Sequence, residues 1–254
     1  MSLNLIFEHY DSVGSTNDDL KIRAKEGAPE GLVISADEQT KGKGRRGRVW
    51  ESEKGTSVST SILLRPNLSA RSAATITTVA ALAVVRMAEK LSDQNAFIKW
   101  PNDVILCSKK VCGILCECEF TPEGKPDYVV VGIGVNVHQK SFPAEIEDKA
   151  ISLDMVNISD KPIHREDVIK NLWQEFSVLY DEFLKTGDMQ LLKDEYEMHF
   201  ISMNKPVVII ENDSKIEAIA KGIDNDGSLL IEVDGKIKKI DTGEVSVRGL
   251  YGYV

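Results

Sequence analysis

One short stretch, Gly42-Lys43-Gly44-Arg45-Arg46-Gly47-Arg48, intersperses glycine with cations. Bare glycine backbone lets amides come close to an anion while guanidinium groups hold it from the side, so the chemistry suited to this stretch is polyphosphate binding. It has neither the G-x4-G-K-[ST] spacing of a P-loop nor a G-x-G-x-x-G turn. Taken alone, a solvated basic loop would look the same. Three further stretches carry chemistry. Lys99-Trp100-Pro101-Asn102-Asp103 sets a cation, an indole, an amide and a carboxylate side by side at a strand end, although an Asx turn alone would explain its last two residues. Lys109-Lys110-Val111-Cys112-Gly113-Ile114-Leu115 leads lysine into a strand whose glycine invites close approach by backbone or ligand. Gly132-Ile133-Gly134-Val135-Asn136 puts two glycines inside a strand, as expected where a ligand passes over the backbone.

The elements that must position these residues follow from periodicity and punctuation. Ser15-Thr16-Asn17 followed by Asp18-Asp19 reads as the capped, acidic start of a helix that ends at Gly27 and Pro29. A strand is expected over Gly31 to Ala36, then the basic loop, then a strand over Thr56 to Leu64. The loop's glycines and mutually repelling cations predict little internal packing. Ser69 to Leu91 is apolar on more than one face, which predicts a helix buried against a sheet. Ala96 to Lys99, Val104 to Cys107, Val111 to Phe120 and Tyr128 to His138 read as strands of a mostly antiparallel sheet, with turns at Ser108-Lys109 and Pro122-Glu123-Gly124. Apolar residues from Val168 to Leu184 recur at helical spacing after His164, and Trp173 is expected in the core. From Pro206 short strands alternate with the turn sequences Asn212-Asp213, Asp224 to Gly227 and Asp234-Gly235, predicting a small barrel. The boundary is expected near Ile201 to Lys205, with a catalytic unit over 1–203 and the barrel over 204–254.

The chain has 254 residues, of which 42% are hydrophobic and 28% charged, the composition of an ordinary globular protein. No uninterrupted apolar run approaches the roughly 18 residues of a membrane span. Met1 to Tyr10 lacks the basic and apolar regions of a secretory signal, so the expected location is cytoplasmic and no membrane partner is expected. A net charge of -9 argues against a surface that binds nucleic acid throughout. Against that acidic background, five cations within Lys41 to Arg48 stand out. Cys107, Cys112, Cys116 and Cys118 crowd into one segment without a C-x2-C pair or a nearby histidine; we read them as free thiols, with Cys112, Cys116 and Cys118 packed on one strand face, and metal or redox chemistry is the alternative. His9, His138, His164 and His199 fall in none of the motifs.

In order along the chain, Ser15-Thr16-Asn17, then Gln39 with the glycine-arginine loop and Trp50, then Lys99 to Asp103, then Lys110 with Gly113-Ile114-Leu115 and Glu117, then Gly132 to Asn136 resemble the signatures of the biotin-protein ligase family. The resemblance covers nearly the whole chain. It implies an α+β fold: a mixed, largely antiparallel sheet with flanking helices, similar to class II synthetases, followed by a small SH3-like C-terminal barrel. It also implies that biotin is activated with ATP to biotinyl-5'-AMP and passed to a lysine of a biotin carboxyl carrier protein. Ser15, Thr16 and Gln39 would hold the ureido ring, with Asn17 and Lys43 in the same pocket and Gly42 and Gly113 close to the ligand. Hydroxyls and an amide suit a neutral ring that needs donors and acceptors. Lys110 would bridge the biotin carboxylate and the α-phosphate, with Arg45 and Arg48 stabilising the phosphates. Trp50, Lys99, Asn102, Asp103 and Asn136 would line the ATP side, with Asp103 the candidate ligand for Mg2+. Arg248, in Gly243 to Arg248, would face the nucleotide, and a homodimer is compatible with the family.

Two departures stand against this pattern. Lys43 replaces the family's usual arginine and lacks its planar fork, and Ser141 to Leu153 contains no tryptophan to cover an adenine ring. The competing enzyme reading is a lipoate-protein ligase or octanoyl transferase, separated from the biotin branch by its acyl pocket. A biotin-responsive regulator is the reading from another class. Only about a dozen residues precede Ser15, too few for a helix-turn-helix, so operator binding is not expected. A noncatalytic biotin store would not need Lys110 and the arginines.

Overall fold

The computed structural model describes residues 3–159, 161–211, 214–241 and 246–249. Strands β1 (Ile6–Tyr10), β2 (Leu32–Ala36), β3 (Ser57–Leu64), β4 (Ala96–Lys99), β5 (Asp103–Leu106), β6 (Lys109–Phe120) and β7 (Pro126–Asn136) form one seven-stranded sheet in the order β1-β2-β3-β7-β6-β5-β4. Only β1 and β2 run parallel; the other neighbours are antiparallel.

Period-two alternation divides the sheet's side chains between two cores. Val33, Ile62, Leu64, Val129 and Val131 face the larger one. Leu32, Ile34, Leu63, Tyr128 and Val130 face a smaller one with Leu20 and Ala24 of α1 (Thr16–Lys25). The larger core is covered by α2 (Ala70–Ser92) and α4 (Arg165–Thr186), which pack on each other. α2 is long and apolar enough to cross a membrane by composition, yet most of it is buried inside this fold, between the sheet and α4. Its N-cap is Ser69, whose hydroxyl accepts from the Ser72 amide at 3.1 Å. Trp173 is fully buried, stacks edge-on to Phe176 and donates Nε1 to Thr60 Oγ1 at 3.0 Å, tying α4 to β3. Short helices α3 (Leu153–Val156) and α5 (Lys193–Met198) flank α4 in the chain.

The C-terminal strands β8 (Pro206–Glu211), β9 (Ser214–Ile223), β10 (Leu229–Val233), β11 (Lys236–Ile240) and β12 (Ser246–Gly249) form an antiparallel, SH3-like unit, with β12 returning to pair with β8. The expected turn at Asn212-Asp213 lies outside the described residues. Asp234 and Gly235 both take positive φ, 51° and 70°, the geometry of a two-residue hairpin. This unit shares the larger core through Val207, Ile209, Ala220 and Ile231. Its turn at Asp224 to Gly227 is held by the catalytic unit: Trp100 Nε1 donates to Gly227 O at 2.9 Å, and Thr75 Oγ1 to Asp226 O at 2.7 Å.

Two local expectations are corrected. β1 was not foreseen, because Ile6 and Phe7 are exposed on an edge strand that shows no inward stripe. The β5–β6 turn is Cys107-Ser108, not Ser108-Lys109; both residues take positive φ, 47° and 62°, and Lys109 already pairs with Leu106. Neither residue advertises that conformation as glycine or asparagine would. The cysteines are free, and Cys112, Cys116 and Cys118 pack against the core as alternation predicts. Burial pushes the Cys112 thiol up strongly and that of Cys116 to about 12, so neither is a ready nucleophile.

Trp173→Phe removes the indole donor and part of the buried volume, and should lower unfolding stability by about 2 kcal/mol. Urea unfolding midpoints of the two proteins measure this.

Candidate active site

The pocket's polar end is built at the start of α1. Ser15 is the helix N-cap, but its hydroxyl makes no capping bond and instead lines the cavity. Gln39, after β2, turns its Oε1 to the Thr16 amide at 2.9 Å and the Thr16 hydroxyl at 3.0 Å. Asn17 is 4% exposed and held from both sides. Its Nδ2 donates to Leu115 O at 3.2 Å and Glu117 Oε2 at 2.8 Å, while Ser61 Oγ lies 2.6 Å from its Oδ1. Ser61, on β3, also lies 2.7 Å from Thr16 Oγ1. Ser61 was not among the expected site residues; the signal available was the hydroxyl-rich run Ser57-Val58-Ser59-Thr60-Ser61 in a strand otherwise apolar. Lys21 neutralises Glu117 at 2.7 Å.

The cationic end gathers at the β4–β5–β6 hairpins. Lys110 Nζ meets Asp103 Oδ1 at 2.7 Å. Lys110 and Gly113 line the same cavity although three residues apart on one strand, which strict alternation forbids. The reason is a β-bulge: Cys112 pairs with Val104 but Lys110 with Ile105, so one extra residue shifts the register between them. Lys99, 8% exposed and directly across the hairpin from Asp103, is pushed down to about 8 by burial, against the pull of Asp103. Lys110, Arg248 and Arg48 add cationic repulsion there. Arg45 donates to Asn102 Oδ1 at 2.8 Å, and burial lowers its pKa as well. Asn102 is anchored through Nδ2 to Ile114 O at 3.0 Å. Arg48 and Arg248 are exposed at the rim. Gly243 to Val245, the start of the segment that carries Arg248, lie outside the described residues.

Asn136, at the end of β7, is buried and faces the strap that follows it. Its Nδ2 donates to Ile151 O at 3.1 Å and its Oδ1 accepts from Gln139 at 3.3 Å. The same strap brackets Lys110, whose amide donates to Lys149 O at 2.7 Å and whose carbonyl accepts from the Ile151 amide at 3.0 Å.

The basic loop makes its own backbone bonds. It closes as a small hairpin: Gly44 N donates to Arg48 O at 2.7 Å and Trp50 N to Gly42 O at 3.1 Å, around a 3-10 turn at Arg45–Gly47. Glycine is required at 42 by this closure, since a Cβ there would sit 2.2 Å from Trp50 O. Lys43 lines the cavity and is tied across it to Asp18 of α1, at 2.7 and 2.6 Å to the two carboxylate oxygens. Trp50 lies flat across the β6–β7 glycines, so that a Cβ at Gly134 would be 2.5 Å from its ring and one at Gly113 3.2 Å. Lys110 Nζ stands 5.7 Å from the ring centroid. With the indole in place the remaining cavity is about 60 Å3, small beside the roughly 300–1,000 Å3 of small-molecule sites. The indole must move for a ligand to enter.

One cavity thus joins a neutral hydrogen-bonding pocket to cationic side chains. Among the described residues no three His, Cys, Asp or Glu side chains converge as a metal site. Asp103 offers a single carboxylate, which suits a Mg2+ held mainly by nucleotide phosphates and water.

That arrangement defines a site that joins a small carboxylic acid to a nucleotide. Residues 10–136 match the model of the Biotin/lipoate A/B protein ligase family, and residues 203–248 that of the Biotin protein ligase C terminal domain. The chain is 35% identical to the bifunctional ligase/repressor BirA of Bacillus spizizenii over 251 residues, 97% of this chain and 75% of the relative. It is 30% identical over 238 residues to the biotin–[acetyl-CoA-carboxylase] ligase of Mycobacterium tuberculosis, 91% of this chain and 85% of the relative. The biotin protein ligase from Aquifex aeolicus, in complex with biotin and ATP, superposes with a TM-score of 0.82 at 29% identity, covering 96% of this chain and 98% of that one. The chain belongs to the biotin/lipoate A/B protein ligase family.

The two glycines of β7 should respond differently to an added methyl group. A Cβ at Gly132 would stand 2.1 Å from Asn17 Oδ1, in a side chain anchored on both sides, so Gly132→Ala should destabilise the fold by roughly 1–3 kcal/mol. At Gly134 the obstacle is the Trp50 ring, which can swing outward. Gly134→Ala should keep its stability and shift tryptophan emission to the red, a change that Trp50→Phe abolishes.

Proposed function

We propose that this chain is an ATP-dependent biotin-protein ligase. The observation that carries this reading is the position of Lys110, at the junction between the hydrogen-bonding pocket and the cation cluster. Ser15, Thr16 and Gln39 face the ureido ring, with Asn17 and Lys43 beside them and the backbone of Gly42 and Gly113 close by. The valeryl chain runs over the glycines of β6 and β7 once Trp50 moves aside. The carboxylate then meets the α-phosphate of ATP beside Lys110, among Arg45, Arg48, Lys99 and Asn102. Arg248 approaches from the C-terminal unit, Asp103 supplies the carboxylate of a Mg2+-nucleotide complex, and Trp50 and Asn136 border the adenosine.

A carboxylate oxygen of biotin attacks the α-phosphorus, the bond to pyrophosphate breaks, and biotinyl-5'-AMP forms. A lysine amine of the acceptor then attacks the mixed-anhydride carbonyl, AMP leaves, and an amide results. Neither step needs a protein nucleophile. The side chains hold carboxylate and phosphorus in line and neutralise the charge that would keep them apart. The acceptor is a biotin carboxyl carrier protein or domain. Dependence on ATP and the free thiols support a cytoplasmic location.

Mass spectrometry of a purified carrier domain after incubation with the chain, biotin, ATP and Mg2+ tests the reading. A gain of one biotinyl group is expected, and lipoate in its place should give none; lipoylation without biotinylation would assign the other branch of the family.

Two measurements probe the cations. Lys110→Ala should cut pyrophosphate release about a hundredfold, on the order of 3 kcal/mol, whereas Lys109→Ala stays near wild type. Lys109 lies in the strand beside Lys110, but its Nζ donates to Glu147 O at 3.0 Å, away from the cavity. The pKa of Lys99, lowered to about 8, gives a pH dependence. Below pH 8 the ammonium is charged and attracts phosphate; as pH rises through 8 it loses its proton. KM for ATP should therefore climb above pH 8, and Lys99→Arg, charged throughout, should flatten that limb.

A further inference from the structure

Lys43 and Arg45 tie the basic loop to the polar and the cationic ends of the cavity. Arg45 reaches Asn102 at 2.8 Å, and Lys43 Nζ reaches both carboxylate oxygens of Asp18, in the first turn of α1, at 2.7 and 2.6 Å. Lys43 lines the cavity, whereas Asp18 does not. The Asp18 half of the pair is braced from behind. Lys21, one turn further along α1, donates to the same carboxylate at 2.9 Å and to Glu117 of β6 at 2.7 Å. Burial raises the pKa of Asp18, but the bonds from Lys43 and Lys21 outweigh it and hold the carboxyl below its ordinary value, so Asp18 stays charged. The Lys43 half sits on the hairpin. Backbone bonds fix the start of the loop, from Thr40 N to Val13 O at 2.9 Å and from Lys41 N to Gly14 O at 2.8 Å. Beyond them, the bond from Trp50 N to Gly42 O makes Lys43 and the Trp50 indole parts of one unit. The indole lies over Gly134 inside the cavity and must leave for a ligand to enter, so releasing Lys43 and clearing the cavity are one motion.

We propose that Asp18 is a positioning residue: through Lys43 it latches the basic loop over the ligand pocket and sets how fast ligand enters and leaves, without touching the ligand. The pair coexists with the indole inside the cavity, so it holds the loop shut and slows entry. Because Asp18 stands outside the lining, a ligand does not displace it, and the same pair closes the loop over an occupied pocket and slows exit. A latch that acts alike on both states changes the two rates and leaves their ratio, the affinity, unchanged. The two side chains are 44% and 39% exposed, and an ion pair at that exposure is worth about threefold in rate. The latch rests on the biotin reading for the identity of its ligand.

Stopped-flow mixing of the full chain with biotin, followed by tryptophan emission, gives the entry rate; dilution of the complex gives the exit rate, and calorimetric titration the affinity. Asp18→Asn should speed entry and exit about threefold each and keep the affinity within about twofold. Lys43→Met should do the same, and the double variant should be no faster than the faster single one, since both changes open one latch. Lys43→Arg, which keeps the charge facing Asp18, should behave as wild type. In 1 M salt, where the screening length is roughly 3 Å, wild type and Asp18→Asn should exchange biotin at the same rates. A residue that merely contacts the ligand would raise the exit rate alone and weaken binding. That pattern in Asp18→Asn, rates equal to wild type, or rates in the double variant that multiply to about ninefold would each overturn the proposal. Should Asp18→Asn fail to fold in a thermal melt, Lys43→Met on the exposed loop carries the test with the same expected rates, and unchanged exchange there would overturn the proposal. A wild-type chain that takes up no biotin in the calorimeter would refute the biotin reading on which the latch rests. Biotin binding at the same rates in every variant would refute the latch alone.

Discussion

The site depends on one extra residue in β6. The bulge between the pairs Lys110–Ile105 and Cys112–Val104 lets Lys110 and Gly113 face the same side of the sheet. Without it, alternation would point Lys110 into the core whenever Gly113 opened toward a ligand, and the cation at the junction would be lost. A bulge bends and twists its strand locally, and here the surrounding chain fixes that distortion. The Lys110 backbone is bonded on both sides to the strap at Lys149 and Ile151, and its side chain to Asp103 on the neighbouring strand. The strap itself is held by Asn136 at the end of the glycine strand. One lysine is therefore held at once by the neighbouring strand and by a strap some forty residues further along the chain.

What was legible in the sequence follows from how local each signal is. Helices α2 and α4 show their buried faces within the helix itself, so both were readable within a residue or two. The central strands β3 and β7 are buried on both faces and read as strands despite their glycines and serines. β1 lay beyond reach because an edge strand with exposed Ile6 and Phe7 carries no inward stripe, and its pairing with β2 is formed only in the fold. The bulge in β6 is set by the partner strand and leaves no trace in composition. The closure of the basic loop is likewise set only in the fold, by backbone bonds and by the link from Lys43 to Asp18. Motifs named the chemical residues; the residues that hold them, such as Ser61 and Asp18, surfaced only in three dimensions.

The C-terminal unit completes the site without lying in it. Its turn at Asp224 to Gly227 accepts hydrogen bonds from Trp100 and Thr75, so it is clamped to the segment between Lys99 and Asp103 and to the start of α2. Arg71 extends the clamp with an ion pair to Asp226 at 2.6 Å. These contacts bring β12, and with it Arg248, close enough for its charge to be felt at Lys99. Two units with separate sheets share one hydrophobic core and one patch of positive potential.

That patch is held in a state that favours its ligand. Arg45 and Lys99 are both pulled below their ordinary pKa values by burial, which means that each charge is poorly solvated; Arg46 and Arg48 repel Arg45 further, and Lys110, Arg248 and Arg48 repel Lys99. Asp103 offsets part of this cost, but one carboxylate cannot balance them all. A polyphosphate brings several negative charges up to cations of which Lys99 is buried, where attraction is stronger than at an open surface. The same preorganised charge faces the phosphorus when a carboxylate attacks, so little reorganisation remains for the reaction itself. A site of this kind can support group activation without a nucleophilic side chain, provided that the sheet, the bulge and the barrel keep the cations where solvation alone would not leave them.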